Sequence, residues 1–246
     1  MNTLIKEILT GIFTAFLYAG IIFIYIKLSN LFRYRKTNKI MPLNKGVQIF
    51  VSSHQILLYG QSRTIVTAEN FQGISMLLKL YSQFNIEPII YTDKFINKYY
   101  EQSHGIEICI GSPNSNKRTQ YYLKKYIPNI FNGNYDQYTI LPNKARIIKI
   151  TLDKALGKVK KDNNVIFLIY GYYTFDSVAA MHYFSKNFHL IKTHLSYDFC
   201  SILLQTSHEI GVESTKMMDV SKEITNPIRC PITLKEYNKL PKSEPE

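Results

Sequence analysis

Three short polar stretches in this chain carry residue types suited to holding a small anion. They are Ser52-Ser53-His54, Gly111-Ser-Pro-Asn-Ser-Asn116, and Gly171-Tyr-Tyr-Thr-Phe-Asp-Ser177. The second leads into Lys117, Arg118 and Thr119, and the third into Val178-Ala-Ala180. The hydroxyls and amides of Ser52, Ser53, Ser112, Asn114, Asn116, Thr174 and Ser177 are short donors and acceptors, equally fit to cap a helix or to meet a ligand. Gly111 and Gly171 omit a Cβ where the backbone must turn sharply or approach a ligand. Lys117 and Arg118 fall in the first turn of an expected helix, where the helix dipole disfavours positive charge, so a bound anion would account for them. Tyr172 and Tyr173 offer ring faces on which a nucleobase can stack. His54 completes the first stretch.

Candidates for acid–base work are fewer. Glu69 opens a helix beside Asn70, where the dipole alone favours an acid, and a role near a nucleotide ribose stays open for it. Asp176 stands in the third stretch as either cap or catalyst. None of the six His residues is paired with Cys or Ser in a nucleophile motif. The chain has no Gly-x-Gly-x-x-Gly and no Gly-Lys-Ser, which argues against classical dinucleotide dehydrogenases and P-loop enzymes. Cys109, Cys200 and Cys230 form no Cys-x-x-Cys and have no His at ligand spacing, so neither a disulfide framework, a metal site nor a cofactor is expected.

The elements that must position these stretches alternate in type. Apolar runs at Val47–Ser53, Ile86–Tyr91, Ile106–Ile110, Arg146–Leu152, Val165–Tyr170, Phe188–Leu195 and Phe199–Gln205 predict strands. Apolar residues at helical spacing predict helices over 68–84, 93–102, 116–127 and 176–184, the first capped by Thr67 and closed by Asn85. Asn132-Gly-Asn134 marks a turn. Unbroken apolar strands alternating with helices predict a Rossmann-like three-layer α/β domain with a mainly parallel sheet over residues 47–220. Residues 221–246 lose periodicity and read as an irregular tail. In such sheets ligands bind beyond the carboxyl ends of the strands, where the three polar stretches fall.

A different segment precedes this domain. Between Glu7 and Lys27 lie 19 residues without a charge, which as a helix would span about 28 Å, close to the ~30 Å hydrocarbon core of a bilayer. A transmembrane helix is therefore predicted over residues 8–28, after a flank at 1–7 and before a basic linker at 29–46. The apolar run is too long for a cleaved signal sequence. The formal net charge is +12, and residues 1–45 hold seven basic residues against one acid, or +6. Six of those basic residues follow the apolar run, so the positive-inside rule puts the α/β domain in the cytoplasm of a single-pass inner (plasma) membrane protein. The cluster touches anionic lipid there. The remaining +6 is spread over 201 residues, which suits a small anion and gives no expectation of duplex nucleic-acid binding.

Two motifs add a resemblance. Gly111-Ser-Pro-x-x-Asn116-x-x-Thr119 is similar to a Gly-Gly-Pro-x-x-Asn-x-x-Thr turn of uncharacterised bacterial Rossmann-like domains. Gly171-x-x-Thr-x-x-Ser-x-Ala-Ala180 is similar to the turn that follows in those domains, with its second Gly missing here. In layout the chain resembles membrane-tethered nucleotide-sensing effectors of prokaryotic antiviral defence. That resemblance implies a sensor that binds a signalling nucleotide and reorganises its transmembrane segment, and it leaves open whether the domain also catalyses. Gly11, Ala15 and Ala19 give a small-residue stripe suited to a homo-oligomer of helices, or simply ordinary membrane-helix composition. A membrane-anchored nucleoside or nucleotide hydrolase, and a scaffold binding a protein partner, are the alternatives.

Overall fold

A computed structural model describes residues 2–38, 40–58, 61–93, 105–127, 142–152 and 164–222. The chain divides into two compact units, Met1–Ile40 and Met41–Glu246. The first is a single helix, α1 (Asn2–Asn38). Its large apolar side chains, among them Ile12, Phe13, Phe16 and Ile22, are exposed around the helix rather than along one stripe, unlike the amphipathic helix of a soluble core. Thr10 and Thr14 donate their hydroxyls to the carbonyls of Lys6 and Thr10, at 2.8 and 2.7 Å, so neither polar group breaks the apolar surface. Leu9–Asn38 is long and apolar enough to cross a membrane. The linker expected from residue 29 begins later, because the helix runs on to Asn38. No Gly or Pro interrupts residues 29–38, and Pro42 is the first breaker.

The second unit is built on a mixed sheet. Its strands are β1 (Val47–Val51), β4 (Ile89–Thr92), β5 (Ile106–Ile110), β6 (Lys144–Thr151), β7 (Val165–Gly171), β8 (Phe199–Gln205) and β9 (Lys216–Ser221). They lie in the order β4-β1-β5-β7-β6-β8-β9. The pairings β4–β1, β1–β5 and β5–β7 are parallel, whereas β7–β6, β6–β8 and β8–β9 are antiparallel. The expectation of a mainly parallel sheet thus holds for its centre and one side only. Buried strands of either sense read as the same apolar run, so β6 gives no sign of its reversal.

Helices α2 (Ala68–Ser82), α3 (Lys117–Tyr126) and α4 (Thr174–Lys186) form where the helical spacing predicts. Thr67 caps α2 by accepting the Asn70 N–H, and Asn85 closes that segment at φ 55°. On one sheet face Phe50, Cys109, Leu168 and Ile148 stand in register and pack with Tyr122 and Leu123 of α3. On the other, Phe167 meets Phe184 of α4 with ring centroids 5.3 Å apart. There α4 packs on α2 at Gly73, where a Cβ would fall 2.0 Å from Met181 Cε.

Three local expectations change. His54 opens a hairpin of β2 (His54–Leu58) and β3 (Gln61–Ile65), a segment read as a polar junction. Residues 188–195, expected as a strand, form the short helix α5 (Phe188–Ile191) and a 3-10 turn at His194–Ser196. Their buried residues Phe188, Ile191 and Leu195 recur at helical spacing. The strand β9 runs through the expected domain end at 220, into the first residue assigned to the tail. Residues 94–102, the Asn132–Asn134 turn, Cys230 and residues 223–246 lie outside the described residues.

Candidate functional site

Strands β1, β4, β5, β7 and β8 run in one direction, so their carboxyl ends share one edge of the sheet. From β1 the chain first reaches β4 on one side and then β5 on the other. Such a reversal opens a crevice beyond the strand ends, the usual ligand position in an α/β sheet. Two groups of polar side chains sit along this edge.

The first group gathers at the ends of β1, β4 and β5. Asn116 caps α3: its side-chain oxygen accepts the N–H groups of Arg118 and Thr119 at 2.9 and 3.1 Å. Its amide donates to the carbonyls of Phe50 and Ile110 at 3.1 and 2.8 Å. That uses two donors and two acceptor positions, so Asn116 ties β1 and β5 to α3 rather than reaching for a ligand. Asp93, 3 % exposed, accepts from the Ser53 N–H at 3.1 Å and the Ser53 hydroxyl at 2.7 Å. Its other oxygen lies 3.5 Å from the Lys117 backbone nitrogen, whose N–H it accepts. Ser52 Oγ accepts from the Asn70 amide at 3.1 Å. Gly111 has φ 114°, and a Cβ there would stand 3.0 Å from Ser52 Oγ and 2.9 Å from Ser115 Oγ, so only glycine fits both the turn and the approach. The Ser112 and Ser115 hydroxyls are 3.1 Å apart. Asn114 and the Lys117 side chain are exposed.

Arg118 leaves this group. Its guanidinium, 2 % exposed, makes two hydrogen bonds to the fully buried Glu107, at 2.7 and 2.6 Å. The Tyr122 hydroxyl donates to the same carboxylate at 2.5 Å, and the Phe50 ring lies 4.1 Å from the guanidinium carbon. Burial would lower the Arg118 pKa, but the Glu107 carboxylate holds it raised. Burial and then Glu107 push the Tyr122 hydroxyl up, so it stays protonated. Arg118 is thus a core ion pair. His54 and Glu69 are exposed, in β2 and in the first turn of α2.

The second group sits at the ends of β7 and β8. Asp176 is fully buried. One carboxylate oxygen accepts the Tyr173 N–H at 3.0 Å, completing the start of α4. The other accepts the Thr206 hydroxyl and lies 3.1 Å from His208 Nε2. Gly171 makes room for this carboxylate: a Cβ there would fall 2.2 Å from Asp176 Cβ. Ser177 Oγ accepts the Gly171 N–H at 2.9 Å. His208 is 39 % exposed and lies between the rings of Phe175 and Tyr173, at 4.3 and 5.3 Å. Beside it opens a cavity of about 440 Å³ whose wall includes Asn143, Thr206, Ser207, His208 and Lys216. Thr174 is exposed at the start of α4. Tyr172 packs against the core cluster on the α3 face, which spends much of the ring expected to stack on a base.

Among the described residues no group of three or more His, Cys, Asp or Glu could hold a metal ion. Cys109 and Cys200 are buried and free. Burial raises both thiols, Cys200 to about 11 against the opposing pull of Lys149 and Lys222, so neither is a ready nucleophile. Asp93, Thr206 and His208 were missed from the sequence. The signal was present: Asp93 follows the fourth strand, and Thr206-Ser207-His208 follows β8 as Gly171–Ser177 follows β7. Compared with protein-family models, curated proteins and solved structures, the chain matches none.

Proposed function

We propose that the chain is a single-pass membrane protein whose Rossmann-like, three-layer domain faces the cytoplasm and binds a nucleotide-like anionic ligand, acting as a sensor on the membrane. The reversal of strand order at β1 carries this reading, because Ser52, Ser53, Asp93, Gly111, Ser112 and Lys117 gather at that point. Asp93 sharpens the ligand. It occupies the backbone donors of Ser53 and Lys117 that a phosphate would take, and it stands after the strand beside β1, where an acid in a dinucleotide fold meets a ribose hydroxyl. A ligand with hydroxyls toward Asp93 and its charge toward Lys117 and Ser112 fits both ends of the crevice. The helix Leu9–Asn38 supplies the anchor, and the basic residues after Ile26 supply the orientation. Ligand-driven packing of these helices into a homo-oligomer would alter membrane permeability, as expected of a defence effector.

The test uses the full chain in lipid nanodiscs, heated with nucleoside mono-, di- and triphosphates and with cyclic oligonucleotides. A ligand at 100 times its Kd adds about 2.7 kcal/mol to native stability. For a domain of this size that is a rise of about 5–10 °C in Tm. Lys117→Ala should reduce the rise, and the same ligand should release dye from vesicles carrying the wild-type chain. The absence of any shift across the panel would refute ligand binding. A shift without dye release would refute the membrane action alone.

A further inference from the structure

We propose that His208, positioned by Asp176, is a general base that hydrolyses a small ester bound in the cavity at the end of β8. The proposal goes beyond the sensor reading and uses the second group of residues at the edge, not the crevice at β1.

Capping α4 requires one oxygen of Asp176, the one that accepts the Tyr173 N–H. The cap therefore leaves the second oxygen unexplained. That oxygen is fully buried and faces Thr206 Oγ and His208 Nε2. A carboxylate only accepts, so the Nε2–H donates to it, and the lone pair resides on Nδ1. Phe175 and Tyr173 flank the ring, and the imidazole lines the cavity of about 440 Å³. A desolvated carboxylate fixing the tautomer of a partly exposed imidazole is one arrangement by which a histidine serves as a general base. Around the ring the titratable groups are Asp176 and Tyr173 at the start of α4, Glu209 beside it in the chain, and Lys216 on β9. Lys216 provides a cation on the cavity wall.

The step uses water and no other co-reactant. Nδ1 of His208 removes a proton from water while the water oxygen bonds to the ester carbonyl carbon. The carbonyl π pair moves onto its oxygen, whose charge the Lys216 ammonium can meet. Collapse re-forms the carbonyl and breaks the carbon–oxygen bond to the alcohol, which takes the proton back from the imidazolium. The products are the carboxylic acid and the alcohol.

The test follows p-nitrophenol release from p-nitrophenyl acetate and butyrate by the full chain in nanodiscs. The expected result is turnover above that of empty nanodiscs, cut about 100-fold or more in His208→Gln. Because the Tyr173 N–H and the Thr206 hydroxyl still serve the buried Asp176 carboxylate, that variant should keep a Tm close to wild type. His208→Gly should regain turnover when imidazole is added, which a merely structural histidine would not show. Asp176→Asn should lower kcat with little change in KM, as befits a positioning residue. Wild-type turnover no faster than empty nanodiscs would overturn the proposal. So would full turnover in His208→Gln at unchanged Tm, or no rescue of His208→Gly by imidazole.

Discussion

Replacing Arg118 by Met should destabilise the α/β unit by about 3–5 kcal/mol, the usual cost of removing one partner from a buried ion pair. The magnitude follows from what remains. Glu107 is fully buried, and its two oxygens accept from Arg118 Nε, Arg118 Nη2 and the Tyr122 hydroxyl. After the substitution only Tyr122 is left to a desolvated carboxylate. Met fills part of the volume against Phe50, so the loss is mainly electrostatic. At about 2–4 °C per kcal/mol for a chain of this size, Tm should fall by roughly 6–20 °C. The reverse change is informative. Glu107→Leu with Arg118→Met and Tyr122→Phe removes every polar member, and such replacements are often neutral or stabilising by about 1–4 kcal/mol. Omitting Tyr122→Phe would leave a buried hydroxyl unpaired, at about 1–3 kcal/mol. Thermal and urea unfolding of the full chain in nanodiscs, followed by circular dichroism, measures each variant. A loss under about 1 kcal/mol in Arg118→Met, or a triple variant no more stable than it, would refute the buried-pair account. Arg118 would then regain its standing as a ligand contact.

Tyr122, Cys109 and Cys200 have raised pKa values in the fold, burial being the first cause in each. Their neutral forms therefore favour folding fully below the unfolded pKa values, 9.0 for Cys and 10.0 for Tyr, and the contribution is lost as pH rises above them. Urea midpoints should fall steadily above about pH 9, and Cys200→Ala should remove one share of that fall between 9.0 and about 11. Gly171→Ala would put a Cβ 2.7 Å from the Ser177 backbone nitrogen as well as against Asp176. It should cost about 1–3 kcal/mol or more by overpacking, seen as a lower urea midpoint. Asn116→Ala should lose about 1–2 kcal/mol from the cap alone. It should lose more in total, because the carbonyls of Phe50 and Ile110 forfeit a buried donor.

The elements that hold the edge together were legible where local chemistry decides them. Thr67 caps the helix it was expected to cap, Asn116 takes the capping one of its two open roles, and the runs at 106–110 and 165–170 are strands. The sense of β6 was not legible, because a strand buried on both faces carries no mark of direction. The run from Phe188 to Leu195 shows the related ambiguity of short apolar segments, whose type is settled by packing rather than by composition. Candidate site residues divide the same way. Ser52, Ser53, Gly111 and Lys117 reach the edge because they follow strands. Arg118 carries the same charge as its neighbour Lys117, yet points at Glu107, 11 residues earlier. His208 becomes visible only when β8 is set two places from β7, bringing it to an aspartate 32 residues away.

That placement also separates the two groups. Neighbouring strands lie about 4.8 Å apart, and the twist of a sheet fans their ends further. The first polar group spans the ends of β4, β1 and β5, and the Asp176–His208 pair lies between those of β7 and β8. Their centres are thus about three strand spacings apart, or roughly 14 Å. The turn after β7 fills that interval, pinned where the Tyr172 N–H donates to the Lys144 carbonyl at 3.2 Å. No described hydrogen bond links Ser52, Asp93 or Lys117 to Asp176 or His208. Sites at such a distance without shared partners contribute nearly additively. The proposed ligand binding at β1 and the proposed ester cleavage at β8 would therefore be separable activities of one edge. In the double variant Lys117→Ala with His208→Gln, each loss should equal that of the single change to within about 0.5 kcal/mol.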